Sequence, residues 1–247
     1  MAFETLLADA LYVNWAVPRE QLPAPPPPLT LETVVEGDAT LGFVTLVLFR
    51  QRGVHLSRLP WLRVEFPQCN LRLPVRDSDR VASIWMLRQL VPAWVVPLGR
   101  LVARQRVSAA ILRDRRGGTV GEQRWEIAAG RPLVLASRPA AAAVSGPALG
   151  GWESLVTFFR ERPRGYLAAA GGVRRIEASF DHAAGIPCRV EVERADWLVA
   201  RLPGVAAGTW STPHSAFVVP ATRLVLQRSR AAAMAVDARV PIPGVPA

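Results

Sequence analysis

The chain contains no lysine. All 30 of its basic residues are arginines, and a guanidinium stays protonated, so no side chain can serve as the nucleophilic amine of a Schiff base. Cysteine is almost as scarce. Cys69 and Cys188 are the only two. They could bridge, but with no secretory signal a reduced, buried pair is the expectation. Histidine is limited to His55, His182 and His214. Neither H-x-x-x-H nor C-x-x-C spacing occurs, so no metal site is expected. There is no G-x-S-x-G elbow, no Walker loop and no G-x-G-x-x-G, so neither a serine triad nor a nucleotide cofactor has support, and no cofactor is expected. Asp181 and His182 are neighbours on a predicted strand. They point to opposite faces, which argues against an acid–base pair.

Long apolar runs are also missing. The stretch 90–99 is broken by Pro92 and Pro97, far short of the roughly 20 apolar residues that span a bilayer. The first fifteen residues have neither a basic n-region nor a continuous apolar h-region. The expectation is a cytoplasmic protein with no membrane partner.

What is present is a 247-residue chain, half hydrophobic and one fifth charged. That is enough for one large domain or two small ones. The formal net charge is +10, yet the arginines are scattered. Arg115–Arg116 and Arg174–Arg175 are the only adjacent pairs. A nucleic-acid footprint is a clustered basic stripe, so nucleic acid is not an expected partner, and the lysine-free, alanine-rich composition reads as GC-biased codon usage. The first 49 residues carry one arginine, Arg19, against Glu4, Asp9, Glu20, Glu32, Glu36 and Asp38. An acidic front and a basic body can pack together.

Strand patterns dominate. ALYVNWAV (10–17) reads as a strand, and Gly37-Asp38 as a hairpin turn between 29–36 and 40–49. The run TLGFVTLVLF is apolar at nearly every position, as in a strand buried on both faces. CNLRLPVR (69–76) alternates, with Cys69, Leu71, Leu73 and Val75 on one face and Asn70 and Arg72 on the other. Residues 58–67 read as irregular, 92–103 as a short Pro-punctuated helix, 104–114 as a long strand, and 133–151 as a mobile loop. Trp152, Leu155, Val156 and Phe159 recur at helical spacing. The pattern predicts a mostly β (α+β) fold, a single antiparallel β-barrel with two short helices. Residues 1–240 would form one domain and 241–247 a disordered tail.

Four segments carry a resemblance: VTLVLFRQRGVH (44–55), FPQCNLRLPVR (66–76), VPLGRLVARQRV (96–107) and WESLVTFFRERPRGYLAAAGGVRRIEASFDH (152–182). They resemble the YqjF-like bacterial proteins, a family grouped with the acetoacetate decarboxylase-like β-barrels. The resemblance implies that barrel fold. The decarboxylases use a lysine of lowered pKa as an imine-forming nucleophile. Here that position falls at Arg106, give or take one residue, and a pocket glutamate falls near Val44. Schiff-base chemistry is therefore not expected.

An arginine projecting into a barrel suits a carboxylate or phosphate, because its planar fork offers two parallel hydrogen bonds. Arg50, Arg72 and Arg106 are the candidates, with Asn70 as a polar partner and Trp85 as an apolar wall. The expected partner is a small acidic or amphipathic molecule; the oligomeric state is left open. A second reading is an enzyme of different mechanism, with Glu65 or His55 moving a proton. A third is a basic interaction protein with no cavity function.

Overall fold

A computed structural model describes residues 3–56, 59–101, 106–141, 149–169, 172–181, 183–227 and 230–231. In chain order the strands are β1 Phe3–Pro18, β2 Thr30–Leu31, β3 Thr33–Glu36, β4 Ala39–Leu56, β5 Leu59–Arg76 and β6 Ala82–Val91. Helix α1 (Val96–Leu101) precedes β7 Ser108–Ala109, β8 Ile111–Arg116, β9 Gln123–Ala129 and β10 Arg131–Pro139. Helix α2 (Trp152–Arg160) leads into β11 Arg164–Ala169, β12 Gly172–Phe180 and β13 Ile186–Arg194. Helix α3 (Asp196–Arg201) precedes β14 Ser215–Leu226 and β15 Arg230–Ala231.

Seven strands are hydrogen-bonded in the order β12-β11-β6-β5-β4-β1-β14. A further pairing of β12 with β14, through Ala178↔Leu226 and Phe180↔Leu224, returns the path to its start. The result is a closed circuit. From β14 the sheet continues through β13, β10, β9 and β8. Most pairings are antiparallel, but β11 lies parallel to β6 and β6 parallel to β7. The sheet is therefore mixed, not wholly antiparallel, and α3 is a third helix that the sequence reading lacked.

The long strands must coil to close the circuit, and bulges let them. The β1–β4 register slips between Ala8 and Leu11, beside Asp9 at φ 50°. The β4–β5 register slips between Gln51 and Val54, around Gly53 at φ 62°. Extra residues of this kind bend a strand and raise its twist. Arg50–Val54 is thus a bulged stretch within one strand. Gly37, at φ 58°, makes the expected two-residue hairpin, with Glu36 paired to Ala39.

Three other expectations need correction. Residues 59–67 are strand, not irregular; Trp61 is 77% exposed, so an apolar side chain on the outer face blurs the alternation. Residues 131–139 form β10, whose inward Leu133, Leu135 and Ser137 sit among alanine and proline. The single strand read over 104–114 is two. β7 joins β6, and β8 crosses to β9, with the Ala110 N–H donating to the Val91 carbonyl at 2.9 Å between them. His182, 142–148 and the 241–247 tail lie outside the described residues.

Strand parity separates two apolar layers. On β5, Cys69, Leu71, Leu73 and Val75 face out of the circuit, as do Trp85 and Leu90 of β6. They pack with Trp125, Leu133, Leu135, Trp197 and Trp210 into the larger core, between the circuit and the β9-β10-β13 layer. Trp15 meets Trp210 edge-on at 5.5 Å, and its indole N–H donates to the Trp210 carbonyl at 3.1 Å. A second cluster joins Leu155, Val156 and Phe159 of α2 to Leu7, Tyr12, Phe43, Val47, Phe49 and Phe217. A third, Phe66, Val91, Val95 and Val107, lies beside α1.

The β5–β6 turn is held by one buried carboxylate. Asp77 accepts hydrogen bonds from the Val81 N–H (2.9 Å), the Tyr166 hydroxyl (3.0 Å) and Arg164 (2.8 Å). The acidic front does meet the basic body. Glu4 pairs with Arg223, Asp9 with Arg116, and Glu32 with both Arg76 and Arg162.

Candidate functional site

A cavity of about 280 Å³ lies inside the circuit, and all seven strands contribute to its wall. On β5 the inward row is Val64, Phe66, Gln68, Asn70 and Arg72; on β6 it is Ile84, Met86, Gln89 and Val91. Phe66 stands at the α1 end of the β5 row. Arg72 stands at the α2 end, where its guanidinium donates to the Phe159 carbonyl at 2.6 Å. Six strand steps separate them, roughly 20 Å.

The polar groups are few and placed on one side. Gln51 donates to Gln68 at 2.5 Å, and Gln68 donates to Asn70 at 2.8 Å. This makes a ladder of three amides along β4 and β5. The side-chain oxygen of Gln89 is buried with no hydrogen-bond partner among the described residues. Buried polar atoms are nearly always paired, so this acceptor is a place where a ligand donor would be held. His55 also lines the cavity; its Nδ1–H donates to the Gly53 carbonyl at 2.7 Å, which leaves Nε2 as the acceptor of the neutral ring.

Arg72 is buried and carries no carboxylate partner among the described residues. Its guanidinium sits 5.2 Å from the centroid of the Tyr12 ring. Burial pulls its pKa below the ordinary arginine value, the Tyr12 hydroxyl opposes this, and neighbouring Arg162 adds to the lowering. Arg162 lines the same end but is committed to Glu32 and to the Phe158 carbonyl.

Of the residues singled out from sequence, Asn70 and Arg72 are on this wall and adjacent in the inward row. Arg50 is not. On β4 the odd positions Val47, Phe49 and Gln51 point inward, so Arg50 points out and pairs with Asp114. It belongs to a shallow outer patch with Arg52, Glu65, Asp114 and Arg116, which also takes Glu65 out of the cavity. Trp85 fails on the same parity: it lies between inward Ile84 and Met86, and its ring fills the larger core. Arg106 is exposed, and its neighbour Val107 is the residue that reaches the cavity. Gln51, Gln68, Gln89 and Tyr12 were not singled out. Gln68 was readable, since it continues the Asn70–Arg72 alternation by one step.

No three His, Cys, Asp or Glu residues converge on a metal geometry among the described residues. His214 packs edge-on to Phe43 at 5.3 Å, and Cys69 and Cys188 are free and buried. No helix among the described residues is long and apolar enough to cross a membrane.

The fold is similar to that of solved acetoacetate decarboxylase-like enzymes. The enduracididine biosynthesis enzyme MppR, solved with pyruvate, superposes with a TM-score of 0.57 at 12% identity over 93% of this chain and 90% of its own. An acetoacetate decarboxylase-like enzyme from Sphingomonas wittichii RW1 gives 0.56 at 14% identity, covering 92% and 91%. An acetoacetate decarboxylase gives 0.57 at 10% identity, covering 93% and 88%. Residues 5–223 match the DUF2071 family, described as "Uncharacterized conserved protein". The chain belongs to that family. No curated protein matches it in sequence.

Proposed function

We propose that the chain binds a small amphipathic acid inside the strand circuit, without lysine imine chemistry. The observation that carries this reading is Arg72, a buried guanidinium with no carboxylate partner among the described residues, at one end of a mostly apolar cavity. One described hydrogen bond runs from it to a backbone carbonyl, and its fork retains donors for a carboxylate. The amide ladder and the lone Gln89 acceptor would orient the polar part of the ligand, and Leu7, Phe49, Leu167 and Ile176 would bury the rest. A volume of about 280 Å³ is at the small end for ligand sites, which span roughly 300–1,000 Å³. The acid is accordingly small, and pyruvate, seen in MppR, is a reasonable first probe beside longer aliphatic and aromatic acids.

The test is a thermal-shift titration with such acids and their neutral amides, on the native chain and on Arg72→Met. A ligand at about 100 times its dissociation constant adds about 2.7 kcal/mol. The acids should raise the melting temperature of the native chain and not of a folded Arg72→Met. Gly165→Leu should block acids and amides alike, because a Cβ at Gly165 already meets Ile84 at 3.5 Å and a longer side chain would occupy the cavity. No shift with any acid, or a shift that Arg72→Met retains, would remove the anion site.

One observation favours a second reading. His55 places an imidazole on the cavity wall. If it moves a proton, deuterium exchange at the α-carbon of a bound keto acid should be seen by NMR and be lost in His55→Gln, while binding persists.

A further inference from the structure

The buried and half-buried arginines of this chain nearly all have a described partner. Arg50, Arg124, Arg162, Arg164 and Arg175 pair with acids. Arg72 and Arg160 donate to the carbonyls of Phe159 and Asp181. Arg88 and Arg201 have neither among the described residues, and the Nε of Arg201 is buried without an acceptor. Both line one groove of about 710 Å³ on the outside of the circuit, where β6 and β7 face β9 and the C-terminal end of α3. An irregularity in the β5–β6 register between Met86 and Arg88 breaks the Ile84–Met86 alternation, so Gln89 takes the inward place and Arg88 the outward one. Arg106 adds its positive charge nearby, and no acid among the described residues lines the groove. Apart from Ser108 the rest of the wall is apolar and includes Ala109, Ile111, Ala128 and Gly130. Ile111 is 59% exposed.

Unneutralised like charges repel, and a half-buried one is poorly hydrated. Burial first, then the charges of Arg201 and Arg106, lowers the pKa of Arg88. An arriving anion relieves both costs, and a dianion relieves more than a single carboxylate does. We propose that this groove is a second ligand site, separate from the interior cavity, that takes an organic phosphate monoester. Arg88 and Arg201 hold the phosphate, Arg106 draws it in, and the alanine and isoleucine wall covers an apolar body.

The site is tested by isothermal titration of the full chain with phenyl phosphate and with inorganic phosphate. Phenyl phosphate should bind about tenfold tighter, because its ring covers the apolar wall. Arg88→Met and Arg201→Met should each weaken it about tenfold or more. Arg124→Met removes the same unit of charge from an arginine paired with Glu193 and should change little. Ala128→Trp, which fills the groove without touching an arginine, should abolish binding and carries the test if an arginine variant does not fold. Gly165→Leu, which closes the interior cavity, should leave binding intact. Absence of phenyl phosphate binding overturns the proposal. So does an equal loss in Arg124→Met, which would mark a general charge effect, or a loss in Gly165→Leu alone, which would place the ligand inside the circuit.

Discussion

At the scale of the residue, direction decides role. Arg72 and Arg50 are both arginines on long strands of the same circuit, yet one faces a cavity and the other faces Asp114. The difference was legible on β5, where Cys69, Leu71, Leu73 and Val75 contrast with Asn70 and Arg72. It was not legible on β4, because both faces of that strand are buried and an unbroken apolar run carries no period of two. Asp77 offers a prediction at this scale. Burial disfavours its charge, but hydrogen bonds from Arg164, the Val81 N–H and Tyr166 outweigh this and hold the carboxyl below its ordinary value. A depressed folded-state pKa gives stability that is present above the unfolded value of about 3.9 and is lost as pH falls through the folded value. Asp77→Asn should therefore cost about 2–3 kcal/mol at neutral pH by urea denaturation, and the gap from the native chain should narrow below about pH 4.

At the scale of the element, α2 does more than connect. Its amphipathic spacing was plain in the sequence, but not the surface it covers. Phe159 is 1% exposed, meets Phe43 edge-on at 5.1 Å, and gives its carbonyl to Arg72. Phe159→Ala should cost about 3–5 kcal/mol in denaturant unfolding and weaken acid binding as well, since the emptied space lets the backbone carbonyl that holds Arg72 shift. A control truncation in the larger core, such as Leu135→Ala, should reduce stability without changing affinity in the folded protein. The parallel β6–β11 contact was beyond a sequence reading for a different reason. It joins Trp85 to Tyr166 across some eighty residues with no local pattern to announce it.

At the scale of the whole molecule, Cys69 and Cys188 report on global opening. Both thiols are buried in the larger core, burial alone pushes each upward, and Cys188 reaches about 12. Only a thiolate reacts readily. A bulky disulfide reagent at pH 8 should therefore label both at the rate of global unfolding, with the two labelling curves coinciding through a denaturant titration. Labelling of either thiol well below the unfolding midpoint would show that the β9-β10-β13 layer opens by itself.

The circuit also sets an order of events during synthesis. β1 lies between β4 and β14, so one side of the first strand finds its neighbour early and the other waits for residues 215–226. Until those emerge from the ribosome, β1 and β12 each keep an unsatisfied edge and the cavity has no complete wall. Long-range pairings of this kind fold slowly, and an open apolar edge invites pairing with another chain. A nascent chain stalled before residue 215 should accordingly depend on chaperones far more than one stalled after 226, a difference that ribosome-bound proteolysis would measure.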